Sequence, residues 1–342
     1  MVRRAAGGDV SDWTPTTITD GRAVARCTAR RASRLVTRRV AGAVAAALIV
    51  LAVGGCLTPL TSQPPLTPVP VPASPLVGVF EPAAPGSFSQ ITEFTKATGV
   101  TPRIVLYYSP WKDPFSSSFA QAAWADHAYT LVQLEPAGVA LASIAAGGSD
   151  AYLRSYAQAV VAFGHPVILS FGHEMNGSWY SWGNGRTPAA TFVAAWRQVV
   201  RVFRAARADN VTWLWTVNSI AGASSSLSQW WPGAAWVDWI GIDGYYVRAT
   251  DTFGSLFGST IADIRTFSGA PVMIAETAVG TTPDRESQIA ALFAAVRAEH
   301  LAGVVWFDEA QHAGLYHQDW RLEDDPSALA AFRAAATSGS GG

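Results

Sequence analysis

The chain has 342 residues, of which 49% are hydrophobic and 14% charged, with a net charge of −1. That is enough apolar material for a large core, and it excludes disorder throughout. The charge is uneven: residues 1–56 carry nine Arg against Asp9, Asp12 and Asp20, so they stand at +6 and the remainder at −7. A mildly acidic body excludes a nucleic-acid-binding surface, which needs a basic stripe to neutralise phosphates; a neutral or cationic ligand suits it.

At the N-terminus, Arg30, Arg31, Arg34, Arg38 and Arg39 precede an apolar run from Val40 to Leu57. That is the order of a membrane-inserted export signal. Residues 1–56 therefore read as an export signal or a membrane anchor, the run being just long enough to span a bilayer. Val53-Gly54-Gly55-Cys56 resembles a bacterial lipobox, which makes Cys56 a candidate lipid anchor; an incidental Cys inside a signal is the other reading. On either reading the protein is exported, to the extracellular space or to the membrane surface. Residues 57–75 hold seven prolines and read as an extended spacer. Both cysteines, Cys27 and Cys56, precede that spacer, so the main domain has no internal disulfide and no thiolate metal site.

From residue 76 onward short β-branched runs alternate with amphipathic helical stretches, the pattern of repeated βα units on a parallel sheet. Eight strands are expected: Leu76–Glu81, Arg103–Ser109, Thr130–Glu135, Pro166–Phe171, Val211–Val217, Val237–Tyr245, Pro271–Glu276 and Gly303–Asp308. Their continuous apolar character suits strands buried on both faces. Between them, Thr187 reads as an N-cap before Pro188, with Phe192, Val193, Trp196, Val199, Val200 and Phe203 on one helical face. Ile289, Leu292, Phe293 and Val296 form another such face, and the helix from Asp150 to Phe163 stops at Gly164. Eight βα units over residues 76–336 predict a single α/β domain, a (β/α)8 TIM barrel, followed by a tail at 337–342. No Gly-rich turn follows the first strand, which argues against a doubly wound sheet.

In such a barrel the active site lies where strands end. The fourth strand runs into HEMNGSWYSWG, which puts Glu174 at the mouth with His173 beside it and Trp179 and Trp182 in the loop. The seventh ends in IAETA, which puts Glu276 there too. Two carboxylates facing each other are what glycosidic cleavage needs, and desolvation by Trp raises the pKa of the one that must be an acid. Fourteen Trp in the chain also suit a sugar-binding cleft.

The HEMNGSWYSWG, DWIGIDGYY and PVMIAETA segments together, in order and spacing, resemble glycoside hydrolase family 26 over about residues 76–335. The resemblance implies a (β/α)8 barrel, retaining chemistry, and a β-linked polysaccharide substrate such as β-mannan, mixed-linkage β-glucan or β-1,3-xylan. It implies Glu174 as acid/base and Glu276 as nucleophile. It gives His173 a contact to the reacting sugar near its 2-OH, Tyr245 a hydrogen bond to the nucleophile, Trp306 the aromatic floor and Trp179 the leaving-group side. Tyr246 competes with Tyr245, since adjacent strand residues point opposite ways. Asp243 shares the face of Tyr245 and is expected to bond neighbouring strand-end groups.

The family's mannanases carry a Trp-His pair after the third strand, where this chain has Leu134-Glu135-Pro136. The choice between mannan and β-glucan therefore stays open. Glu135 and Glu81 either contact sugar or hold loops. Asp308 and Glu309 are candidates for sugar hydroxyls, and Tyr107, Tyr108 and Trp111 for a distal subsite or a packed rim. His312 and His317 without a third ligand do not make a metal site, and no phosphate loop or GxSxG elbow is present. No cofactor is expected. The partners expected are the polysaccharide and, through the N-terminal segment, the membrane. A non-catalytic, envelope-anchored polysaccharide-binding barrel is the alternative of a different class.

Overall fold

A computed structural model describes residues 65–220, 226–310 and 317–338. The expected export signal with its whole apolar run, Cys56, residues 57–64 of the spacer, His312 and residues 339–342 of the tail lie outside the described residues. Eight strands appear in chain order: β1 (Leu76–Phe80), β2 (Ile104–Pro110), β3 (Tyr129–Glu135), β4 (Val167–Phe171), β5 (Val211–Asn218), β6 (Trp239–Asp243), β7 (Val272–Thr277) and β8 (Gly303–Phe307). Each pairs in parallel with the next, and β8 pairs with β1, which closes the barrel. Strands β4, β6, β7 and β8 are buried at every position, as strands covered on both faces must be. The (β/α)8 TIM barrel expected from the alternation is the fold.

The outer layer comprises α1 (Ser89–Thr98), α2 (Ser117–Ala125), α3 (Leu141–Ala145), α4 (Asp150–Phe163), α5 (Ala189–Ala205), α6 (Ser259–Arg265), α7 (Arg285–Ala298) and α8 (Pro326–Thr337). Helix α5 buries Phe192, Trp196, Val199, Val200 and Phe203, the face its periodicity set out. Its start differs from the expectation. Pro188 holds the N-cap position, and the Thr187 hydroxyl donates to the Ser181 carbonyl at 3.1 Å instead of capping. Helix α4 ends at Gly164 with φ 78°, the left-handed conformation that glycine adopts without a Cβ clash. Helix α8 starts at Pro326 after Asp325, whose carboxylate accepts from the backbone of Ser327 and Ala328.

Part of the expected spacer packs on the barrel. Val69 is buried, and its backbone N–H donates to Thr212 Oγ1 of β5 at 2.8 Å, near the N-terminal end of that strand. Among the described residues no helix is long and apolar enough to cross a membrane.

One departure from ideal geometry positions the site. Along the β6–β7 ladder Ile242 pairs with Ile274 but Asp243 pairs with Glu276, and along β7–β8 Ile274 pairs with Val304 but Thr277 with Trp306. Both ladders give β7 one extra residue, a β-bulge. Ala275 lies against Gly241 inside the barrel, where a Cβ on Gly241 would meet Ala275 Cβ at 2.9 Å and Thr216 Oγ1 at 2.8 Å. Glu276 points inward as well. Strict alternation would have sent it out, so the bulge aims this carboxylate at the mouth.

Candidate active site

Glu174 lies three residues beyond β4, in the left-handed region at φ 53°, a conformation uncommon for a residue with a Cβ. Its backbone N–H is held by the Thr216 carbonyl of β5 at 3.0 Å. That turn brings the carboxylate back over the barrel, where both oxygens are occupied: Trp179 Nε1 donates to Oε2 and Asn218 Nδ2 to Oε1, each at 2.7 Å. Asn218 ends β5 and is fixed in turn by Asn176. The Asn218 N–H donates to Asn176 Oδ1 at 2.9 Å, and Asn176 Nδ2 donates to the Asn218 carbonyl at 2.7 Å. The asparagine of the HEMN segment thus ties the β4 loop to the strand that supports the acid.

Glu276 is buried and accepts a hydrogen bond from the Tyr245 hydroxyl on Oε2. Burial and the Glu174 charge push its pKa up to about 8, and the hydroxyls of Tyr108 and Tyr245 pull the other way. Glu174 is also raised by burial, with Asn218 and Trp179 opposing. Burial thus favours the neutral form of both carboxyls, and the charge of Glu174 makes Glu276 harder to ionise. Beneath them, Asp243 is fully buried, neither of its carboxylate oxygens meets a donor among the described residues, and burial plus the charges of Glu276 and Glu174 push its pKa well up. Gln133, Ser170 and Thr216 complete a polar layer on the inward faces of β3 to β5, with Ser170 Oγ donating to Thr216 Oγ1 at 3.0 Å.

The expected residues divide into those gathered at the mouth and those that are not. Trp179, Tyr245, Tyr108 and Asp243 join the two glutamates. Tyr246 is buried against Phe257 on the other side of the strand, which leaves Tyr245 as the residue facing the cleft. His173 is 1% exposed; its Nε2 is 3.0 Å from the Tyr180 hydroxyl, and burial lowers its pKa to about 3, so it is neutral. It underlies the site, its ring 5.6 Å from that of Tyr108. Trp182 is buried beside it, stacked on Tyr180 with ring centroids 4.2 Å apart and donating to the His173 carbonyl. Trp111 packs on Tyr152 and Phe171, and Tyr107 bonds to Tyr156, so both are rim packing.

Trp306 is not brought into the cleft. It points outward from β8 onto Phe332 of α8, with its Nε1 donating to Asp308 Oδ1 and the Trp320 carbonyl. The inward place on β8 belongs to Phe307, which stacks on Phe80 and meets Tyr245 edge-on. Trp320, in the following loop, lies 5.0 Å from Tyr245 ring to ring. Asp308 is buried near Glu81, away from the cleft, and Glu309 is half-buried. Glu135 does face the mouth: its charge acts on Glu276 and Tyr180, and burial raises its own pKa to about 7.

A cavity of about 250 Å³ opens beside Glu174, lined by Asn176, Trp179, Asn184, Asn218, Gln229 and Trp230. The profile of glycosyl hydrolase family 26 matches residues 150–326, slightly over half of the chain and both glutamates. The chain belongs to glycosyl hydrolase family 26. Endoglucanase H of Acetivibrio thermocellus is 32% identical over 274 residues, 74% of this chain and 29% of that protein. A beta-1,3-xylanase of an Alcaligenes species is 25% identical over 165 residues, 44% of this chain and 34% of the xylanase. The family 26 barrel thus spans about a third or less of the length of these curated relatives. Among solved structures, a double mutant of the Cellulomonas fimi endo-beta-1,4-mannanase has a TM-score of 0.60 at 18% identity, covering 78% of this chain and 71% of that one; this is likeness of fold.

Asn218 and Asn176 were not among the expected site residues of this family 26 chain. The signal for Asn218 was its place as the last residue of the VTWLWTVN strand, where a polar side chain follows an apolar run.

Proposed function

We propose that the chain is a retaining endo-β-glycanase that cuts a β-linked glucan by double displacement. The observation that carries this reading is the carboxyl pair with its donors: Trp179 and Asn218 on Glu174, Tyr245 on Glu276, each glutamate raised in pKa. Glu174, next to the cavity, protonates the departing glycosidic oxygen while Glu276 attacks the anomeric carbon to form a glycosyl-enzyme. Glu174, now a carboxylate, takes a proton from the water that displaces Glu276. Tyr245 orients the nucleophile, and its hydrogen bond favours the ionised form. Trp179 in the cavity wall offers a ring face to the leaving portion of the chain.

Glucan is preferred to mannan for two reasons. The likeness to Endoglucanase H runs over 74% of the chain, and Glu135 stands where the mannanases of the family carry their Trp-His pair. The test is reducing-sugar release by the full chain from lichenan, mannan and β-1,3-xylan, with the anomer of the first product followed by NMR. Release from lichenan above the others, with retained configuration, is expected. Binding to glycan without release from any of the three sinks the enzymatic reading, and an inverted product sinks the double displacement. We further propose that the enzyme acts outside the cytoplasm, either released from its signal or tethered through Cys56 or the 40–57 run. The mass of the N-terminal peptide of the mature protein separates a lipid from a cleaved or retained signal.

A further inference from the structure

We infer that Glu81, Asp308 and Glu323 form a binding site for a divalent cation, calcium by size, at the seam where the barrel closes. Glu81 follows the last residue of β1 and Asp308 the last residue of β8, adjacent strands whose ladder runs to Phe80 and Phe307. Glu323 comes from the loop that leads into α8. One oxygen from each lies within 4.8 Å of the other two. Oxygens on opposite sides of a calcium ion stand about 4.6 to 5.2 Å apart, so one ion reaches all three; magnesium, at about 2.0 to 2.1 Å, demands a tighter octahedron.

The inner two carboxylates are 4% and 2% exposed, and Glu81 Oε1 and Asp308 Oδ2 meet no hydrogen-bond donor among the described residues. The second oxygen of Asp308, Oδ1, accepts from Trp306 Nε1 at 3.2 Å and from the Leu322 N–H at 3.1 Å, which fixes the carboxylate and leaves Oδ2 to its acidic neighbours. The nearby basic residues are engaged elsewhere: Arg321 by Asp319 and Asp324, and Arg285 by Asp325. Buried acids whose oxygens lack donors and counter-charge are the donor set a hard cation takes. Exposed Glu323 supplies the entry side, where water completes the coordination.

Bound there, the ion ties the loop to both strand ends. That loop carries Trp320, which packs on Tyr245, the donor to Glu276. The site stands whether or not the glutamate pair cuts glycan, since its ligands are separate side chains.

The test is calorimetric melting of the full chain after EDTA treatment, at pH 7, with 1 mM CaCl2, 1 mM MgCl2 or EDTA, together with calcium titration by isothermal calorimetry. Calcium is expected to raise the melting temperature by about 5 °C, more than magnesium does. Glu323→Gln, at an exposed position, is expected to keep the EDTA melting temperature and lose most of the calcium increment. Glu81→Gln is expected to melt no lower than the wild type in EDTA, because it removes a buried repulsion, and lower than the wild type in calcium. Melting independent of calcium with no titration heat overturns the site, as does a full calcium increment in Glu323→Gln.

Discussion

Two groups of buried acids share the C-terminal end of this barrel and differ in what else points at them. Glu174 and Glu276 receive donors from Trp179, Asn218 and Tyr245. Glu81 and Asp308 each keep one oxygen that no donor among the described residues reaches, whereas in the first group only Glu276 Oε1 is so placed. Burial raises the pKa in both groups. The donors decide what the raised pKa is good for. With oriented N–H and O–H groups a carboxyl pair can pass a proton and return to charge, whereas without them the same burial leaves only mutual repulsion for a cation to offset.

The largest expected effect breaks the first group. Glu276→Ala or Glu174→Ala should cut kcat on a glucan about 10⁴-fold or more, while Glu81→Gln assayed alongside stays within about twofold. Removing a donor should cost less: Tyr245→Phe and Asn218→Ala are each expected to lower kcat about 10²-fold with KM little changed, the mark of an interaction that strengthens in the transition state. A loss confined to KM would instead make them ground-state contacts.

The pH dependence sharpens the contrast. The glutamate pair keeps its proton until about pH 8, so kcat/KM should hold to about pH 7 and fall roughly tenfold per unit above 8. In the other group the effect is on stability. Glu81 is raised from 4.5 to about 10, so its contribution is fully present below pH 4.5 and drains away as pH climbs towards 10. Melting in EDTA should therefore decline from pH 5 to pH 9, with a shallower slope in Glu81→Gln. The smallest effect concerns the outer face of β8. Trp306→Phe should destabilise by about 1 to 2 kcal/mol and leave KM unchanged, since its ring packs on α8. A selective rise in KM would put that ring back in the cleft.

The eight strands were legible because strands covered on both faces are apolar throughout, and Glu174 and Glu276 because each interrupts such a run at its end. The same uniformity hid the facing of side chains. A strand such as GVVWFD has no polar alternation, so nothing in it says whether Trp306 or Phe307 looks inward. Asn218 went unnoticed because an amide at a strand end carries no titrating group to draw attention. The Glu81, Asp308 and Glu323 cluster was invisible for another reason. Two of its members are neighbours only because the last strand closes on the first, and they stand more than two hundred positions apart in the chain.

The extra residue in β7 has a consequence for anyone who moves this chemistry elsewhere. A graft that copied Val272–Thr277 residue for residue into a strand with regular ladders would seat Ala275 opposite Asp243 and leave Glu276 facing the helices. The count of residues along one strand is therefore as much a part of the catalytic apparatus as any functional group.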